Sequence, residues 1–101
     1  MTTPLTIDSA RRDDGRTVLT AVGEIDLSNI DAFRSALTTA TDDSGPLTVD
    51  LSAVEYLDSA AINVLFDRAE GIDALIAHAF LMSPLTISGL TELVAVESAG
   101  P

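Results

Sequence analysis

This sequence contains neither cysteine nor lysine, and each absence excludes a class of protein. Without cysteine the chain has no disulfide, no thiolate nucleophile and no sulfur ligand for a metal, which suits a reducing compartment. Its five cations are all arginines, and 16 acidic residues bring the formal net charge to -11. Nucleic acid and anionic lipid repel such a chain, whereas a basic protein surface attracts it. We therefore predict no nucleic acid and no membrane as partners; the acidity serves either to attract a basic protein surface or only to keep the chain soluble.

Long apolar runs and a leader pattern are also absent. The apolar runs are short and interrupted, so none is long enough to cross a bilayer. The first residues, MTTPLTIDSARRDDG, lack a basic region followed by an apolar stretch, so we predict no signal peptide and a cytoplasmic location. The length of 101 residues suits one domain, and 47% hydrophobic residues are enough for a packed core.

Catalytic signatures are scarce. The single histidine, His78, lies in an apolar stretch, where a packed structural residue is more frequent than a base or a ligand. The sequence has neither glycine-rich phosphate-binding motif and no G-x-S-x-G nucleophile motif. We therefore predict no enzymatic activity, no catalytic residue, no metal and no cofactor.

Hydrophobic periodicity predicts strands that alternate with helices. Strands are predicted at PLTIDSA, RTVLTAVGEI, PLTVDLS, IDALIAHA and TELVAVES. Helices are predicted at DLSNIDAFRSALTTATDDSG and SAAINVLFDRAEG, and FLMSPLTISGL is ambiguous because of Pro84. This order predicts an α/β fold with a mixed, mostly parallel sheet, an antiparallel edge strand, covering helices and right-handed crossovers. We expect it to form a single domain over residues 1–101.

The same spacing predicts which side chains the helices bury. The first helix should bury Ile30, Phe33, Leu37 and Ala40. The second helix should bury Ile62, Leu65, Phe66 and Ala69. Gly71 is then a natural C-cap of the second helix. The segment AVEYL, which precedes that helix, is predicted to be a connection.

Asp58 and Ser59 immediately precede the apolar part of the second predicted helix. In the structural interpretation Ser59 is the N-cap, and its hydroxyl accepts a backbone N–H in a bond worth about 1 kcal/mol. In the functional interpretation a phosphate on Ser59 meets the positive end of the helix dipole, which tolerates it. Asp58, with Asp26 nearby, would repel the added dianion. Local sequence alone favours the cap, but a phosphate here would suit a binding switch.

A second candidate segment, GEIDLSN, covers Gly23–Asn29 between the second strand and the first helix. Junctions that follow parallel strands gather at one edge of the sheet, where ligands and partners usually bind. The structural alternative is that Asp26 and Ser28 cap the helix, with Ser28 and Asp31 at the spacing of a capping box. The two interpretations are compatible, because a capped and rigid loop is a good docking surface.

Together, GEIDLSN and LTVDLSAVEYLDSAAINVLF resemble the STAS domain of bacterial anti-sigma factor antagonists. That family has G-E-L-D and later D-L-S-x-V-x-F-h-D-S-S-G-h-x-x-L, where h is an apolar residue. The closing ISGLTELVAV resembles its late segment, so the resemblance extends from about Leu5 to Val96. The block around D-L-S and D-S is the specific part, because G-E-h-D alone is common.

The resemblance implies an anti-sigma factor antagonist. In that family the serine after the aspartate, here Ser59, is phosphorylated by the anti-sigma factor, which is an ATP-binding serine kinase. The unphosphorylated antagonist binds this kinase and frees a sigma factor, and the phosphorylated form dissociates. The partner-binding residues implied here are Asp26, Ser28, Asp58, Ser59, Ala60 and Ala61.

The sequence departs from the family in three places. Ala60 and Ala61 stand where a small hydroxyl residue and glycine are usual, and their methyl groups could obstruct a kinase. A constitutive, unphosphorylated antagonist is therefore one alternative, and a STAS accessory or ligand-binding module of a transport or lipid-trafficking system is another.

The second departure lies around Pro84, where we expect Leu81 and Met82 to be exposed. Many relatives continue into a C-terminal helix, so an uncovered surface here leads us to hypothesise a homodimer.

Overall fold

The computed structural model describes residues 4–42 and 45–98. Five strands alternate with helices, as the hydrophobic periodicity predicts. In chain order the elements are β1 (Thr6–Arg11), β2 (Thr17–Ile25), α1 (Ile30–Asp42), β3 (Leu47–Leu57), α2 (Ser59–Asp67), a 3-10 turn (Ala69–Gly71), β4 (Ala74–Ala77), α3 (Ala79–Ser88), α4 (Leu90–Leu93) and β5 (Ala95–Ser98).

The strands form one sheet in the order β1-β2-β3-β4-β5. β1 pairs with β2 antiparallel, and the other three pairs are parallel. This confirms the predicted α/β class with its antiparallel edge strand. Each parallel connection moves one strand in the same direction, so right-handed crossovers place the helices on one face of the sheet.

The core lies between that face and the helices. Alternate residues of β2 are buried, among them Leu19, Ala21 and Ile25, as expected for a strand with one covered face. The predicted face of α1 is confirmed, because Ile30, Phe33, Leu37 and Ala40 are all buried. Phe33, which is fully buried, is the largest side chain in this core.

The prediction that AVEYL is a connection was wrong. β3 continues through this segment to Leu57 and buries Val54 and Leu57. It stays paired with β2 because the register shifts twice, between Thr20 and Val22 and again between Gly23 and Glu24. Gly23, at φ +107°, lies at the second irregularity, in a backbone conformation that glycine adopts without strain.

The second helix is shorter than predicted, and its buried stripe differs. It ends at Asp67, so Gly71 closes the following 3-10 turn instead of capping the helix. Ala61, Val64 and Leu65 are the buried residues of α2. Ile62 and Phe66 are only half-buried, and the helix packs against α1 and α4.

The region after β4 was predicted least well. α3 runs continuously through Pro84, and Leu81 is buried while Ile87 is 84% exposed, so the expectation that Leu81 is exposed was wrong. The last predicted strand begins with helix α4, which contains Leu93. Gly89, at φ +87°, ends α3 and lets the chain turn into α4. No helix in the described ranges is long and apolar enough to cross a membrane.

Candidate functional site

The fold brings the two candidate segments together at the carboxyl edge of the parallel strands. β2 and β3 are parallel neighbours whose final residues, Ile25 and Leu57, are paired. The loop after β2 and the start of α2 therefore lie side by side. The backbone N–H of Asp58 donates to the Ile25 carbonyl at 3.2 Å and continues the pairing into the junction.

Asp58 ties these two segments together with its side chain. Its Oδ1 accepts the backbone N–H of Ala61 at 3.2 Å, so Asp58 is the N-cap of α2. Its Oδ2 accepts the backbone N–H of Leu27 at 3.1 Å, across the gap between the loops. One carboxylate thus sets both the start of the helix and the position of the neighbouring loop.

Ser59 is the first residue of α2, so the prediction that it is the N-cap was wrong. Asp58 occupies that position, and its side chain accepts the N–H of Ala61, which has no partner within the helix. The Ser59 side chain is exposed, and no group in the described part of the chain hydrogen-bonds its hydroxyl. The hydroxyl is therefore accessible, and it lies at the positive end of the helix dipole.

The loop between β2 and α1 is held by its own polar side chains. Asp26 Oδ1 accepts both the backbone N–H of Ser28, at 2.9 Å, and the Ser28 hydroxyl. Asn29 Oδ1 accepts the Asp26 N–H at 2.9 Å, and Asn29 Nδ2 donates to the Glu24 carbonyl at 2.9 Å. The loop is consequently rigid, and it presents the Asp26 carboxylate beside the Asp58 junction.

The predicted capping box of Ser28 and Asp31 does not form. α1 begins at Ile30, and the Asn29 carbonyl accepts its first N–H donors, from Ala32 and Phe33. Ser28 is bonded to Asp26 instead, and Asp31 forms an exposed ion pair with Arg34 at 2.9 Å. The capping-box spacing failed here because the loop contains an earlier carboxylate that competes for the Ser28 hydroxyl.

Hydrogen bonding lowers the pKa of the Asp26 carboxyl. The largest cause is the Ser28 hydroxyl, followed by the Ser28 N–H; both stabilise the ionised form, while burial opposes them weakly. A carboxyl with a lowered folded-state pKa stabilises the fold above its ordinary pKa. That stabilisation is lost as the pH falls through the lowered value. At neutral pH the site therefore carries an ionised Asp26.

Ser28→Ala is expected to raise the Asp26 pKa toward its ordinary value, because it removes the hydroxyl donor and keeps the backbone N–H. Side-chain carboxyl carbons followed by NMR during an acid titration measure this directly. Thr39→Ala, which removes an exposed hydroxyl on α1 and none of the hydrogen bonds of Asp26 described above, is the control. An unchanged Asp26 titration in Ser28→Ala would contradict the assigned cause.

The two alanines after Ser59 are placed differently. Ala61 is fully buried, so its methyl group lies in the core and only its N–H takes part in the junction. Ala60 is half-buried at the surface beside Ser59. Of the six predicted partner-binding residues, Ala61 is thus the one whose side chain is not presented at this edge.

Two residues of this edge were not among the predicted site residues. Leu27 is 76% exposed at the tip of the loop, and its N–H is held by Asp58. Asn29 organises the loop from within. A large apolar residue between Asp26 and Ser28, in a loop expected at a sheet edge, was a usable signal for Leu27. No sequence signal indicated Asn29, because its role depends on the folded turn.

The surface around Ser59 is acidic. Asp58 precedes it, and the Asp58 carboxylate is bonded to the loop that carries Asp26. Three arginines lie in or beside the β1–β2 hairpin at the opposite edge of the sheet. Of the other two, Arg34 pairs with Asp31 and Arg68 follows the far end of α2. No group of His, Asp and Glu side chains within the described ranges is arranged to hold a metal ion. This edge presents carboxylates and an exposed hydroxyl.

Comparison with known proteins shows which family and which solved structures this architecture resembles. A family model described as the STAS domain matches residues 9–85. A crystal structure of an anti-sigma factor antagonist from Mycobacterium paratuberculosis superposes with a TM-score of 0.83 at 26% sequence identity. The alignment covers 93% of this chain and 86% of that chain. None of the curated protein sequences matches this chain significantly.

More distant structures share the fold. The anti-sigma factor antagonist SpoIIAA in its unphosphorylated form superposes with a TM-score of 0.73 at 14% identity, over 93% of this chain and 90% of that chain. An antisigma-factor antagonist STAS domain from Rhodobacter sphaeroides gives 0.57 at 13% identity, over 95% and 86% of the two chains. At these identities the likeness concerns the fold.

Proposed function

This chain belongs to the STAS domain family, and on that premise we propose that it is a cytoplasmic anti-sigma factor antagonist. Its partner is an anti-sigma factor of the ATP-binding serine kinase type. The unphosphorylated chain binds this partner and releases a sigma factor from it. Phosphorylation of Ser59 ends the complex. The chain acts by binding and supplies no catalytic residue of its own.

The proposal rests on the exposure and hydrogen bonding of Ser59. Its hydroxyl is exposed and unbonded within the described structure, at the first position of α2 and next to a carboxylate that already caps the helix. Because Asp58 performs the capping, Ser59 is not needed to start the helix. A kinase can therefore modify it without removing a structural hydrogen bond.

Phosphorylation at this position changes charge more than structure. The phosphate carries about two negative charges at neutral pH and lies at a helix N-terminus, which favours anions. It also lies beside Asp58, with Asp26 across the gap on the bonded loop. A partner surface that complements two carboxylates and a hydroxyl would then meet a crowded anionic patch, so the complex dissociates.

The positions of the two alanines support phosphorylation over constitutive binding. The Ala61 methyl is in the core, so it cannot obstruct an approaching kinase. Ala60 is half-buried and adds one methyl group beside the hydroxyl. Leu27, exposed on the neighbouring loop, offers an apolar anchor of the kind that protein interfaces bury at their centre.

The antagonist activity is tested by sigma-factor release. Candidate anti-sigma factors of the kinase type from the same genome are each loaded with their fluorescently labelled sigma factor, and the unmodified chain is titrated in without ATP. We expect release by one of them, at about equimolar chain. Leu27→Ala should release less, and Ile87→Ala, at a similarly exposed apolar residue on α3, should match wild type. If none of these complexes releases its sigma factor, the proposed function is wrong.

A further inference from the structure

β1 forms one edge of the sheet, and its outer side is open in the described part of the chain. The strand order begins with β1, and within residues 4–42 and 45–98 only β2 pairs with it. Every residue of β1 except Ile7 is exposed, including Ser9 on the face that the helices cover. An edge of this kind presents a row of backbone N–H and C=O groups to which another strand can pair.

The hydrogen bonds of the hairpin identify which backbone groups of β1 point outward. The N–H of Arg12 donates to the Arg16 carbonyl at 2.7 Å, next to the last residue pair of the ladder. In an antiparallel ladder alternate residues direct their backbone groups to the same side. The even-numbered residues of β1 therefore bond β2, whereas Ile7, Ser9 and Arg11 direct their N–H and C=O groups away from it.

Asp8 and Arg12 bring opposite charges to this edge on one face of the strand. Both side chains are exposed, and neither has an ion-pair or side-chain hydrogen-bond partner within the described ranges. Four residues of an extended strand span about 13 Å, so the two side chains cannot pair with each other. An antiparallel neighbour of the same sequence brings an arginine to the aspartate and an aspartate to the arginine.

The β1–β2 hairpin is also the charge-balanced part of the chain. The sequence has 16 acids and five arginines, and residues 8–16 contain three of each. The rest of the chain thus carries the whole net charge of -11. Two copies repel each other over most of their surface, and they repel least where this hairpin faces its own copy. The charge pattern therefore favours a second copy of this chain as the occupant of the β1 edge.

We propose that β1 pairs antiparallel with β1 of a second copy about a two-fold axis, which joins the two sheets into one. An axis at Asp8 or Arg11 sets like charges directly opposite each other. An axis at Ser9 or Ala10 keeps most of the strand paired and sets each Asp8 diagonally or directly opposite Arg12 of the second copy. The pairing goes beyond the proposed function and does not depend on it, because β2 separates this edge from β3 and the site at its end.

Sedimentation equilibrium and amide hydrogen exchange of the chain alone test the dimer and its location. We expect a monomer–dimer equilibrium that is populated below about 1 mM, as for a small and transient interface. The N–H groups of Ser9 and Arg11 should gain protection from exchange as the concentration rises, while the N–H of Ala10, bonded to β2, is protected throughout. A chain that stays monomeric to about 1 mM, or a dimer without this gain in protection, would overturn the proposal.

A charge exchange tests the contact between the two copies. Asp8→Arg and Arg12→Asp should each weaken the dimer at least about tenfold, because each sets like charges against each other twice. The double variant should restore the dimer to within about threefold of wild type. Asp67→Arg, at an exposed aspartate on α2, lowers the net negative charge as much as Asp8→Arg and should not weaken the dimer. Equal effects of these two variants, or a double variant as weak as the single ones, would contradict the pairing.

Ser9→Pro removes one of the outward N–H groups and none of the bonds to β2. It should weaken the dimer at least about tenfold and leave the chain folded, as circular dichroism can check. Ser9→Ala keeps the N–H and should dimerise like wild type. A folded Ser9→Pro chain that dimerises like wild type would overturn the proposal. The charge exchange tests the same edge without altering the backbone, so it decides the matter if the proline variant does not fold.

Discussion

Ser59→Glu is expected to lower the affinity for the anti-sigma factor about 100-fold. The carboxylate places a negative charge where the hydroxyl is now exposed, beside Asp58 and near Asp26. Like charges set against an interface cost several kcal/mol, and each 1.4 kcal/mol is about a factor of ten. The fold should be unchanged, because no described group hydrogen-bonds the Ser59 hydroxyl. Isothermal titration of the unmodified proteins measures the difference.

Two controls separate charge from other effects of this substitution. Ser59→Gln has the same size as the glutamate without its charge, so it should lose far less affinity. Thr86→Glu adds the same charge at an exposed position on α3 and should bind like wild type. If Ser59→Glu binds as tightly as wild type, charge at residue 59 does not control the complex.

Asp58→Ala is expected to destabilise the domain by about 2 to 3 kcal/mol. The substitution removes the cap of α2, worth about 1 kcal/mol, and leaves the Leu27 N–H without its charged acceptor, worth about 1 to 2 kcal/mol more. In a domain of this size the midpoint of thermal unfolding should fall by about 10 °C. Chemical and thermal unfolding followed by circular dichroism measure both quantities.

The comparison with Ser59 makes this prediction specific. Ser59→Ala should change stability by less than about 0.5 kcal/mol, because the hydroxyl caps nothing. Asp58→Asn should retain most of the capping contribution, since asparagine is also a favourable N-cap residue. A larger loss for Ser59→Ala than for Asp58→Ala would mean that the serine, and not the aspartate, starts the helix.

Much of the architecture followed from periodicity. β2 and α1 are each covered by the core on one face only. The alternation in β2 and the helical spacing in α1 therefore predict the residues that are buried, which in α1 are Ile30, Phe33, Leu37 and Ala40. Periodicity did not predict that β3 continues through Tyr56, because two register shifts against β2 interrupt the alternation of buried and exposed residues in β3. α4 is a single helical turn, too short for a periodic signal to identify it.

The structure brings the two candidate segments together at one edge, as parallel pairing predicts, but the bonds between them were not predicted. Parallel pairing alone predicts that the loop after β2 and the start of α2 lie at the same edge of the sheet. Asp58 caps the helix and also accepts the N–H of Leu27. The second bond depends on the distance between the two loops, and the local sequence carries no information about that distance.

The most direct test of the central claim, that Ser59 is the regulated residue, is intact-mass analysis. Wild type and Ser59→Ala are incubated side by side with Mg-ATP and the anti-sigma kinase that binds the chain. The account predicts one added phosphate on wild type and none on Ser59→Ala. No phosphate on wild type within a complex that does form, or an equal phosphate on both chains, would contradict it.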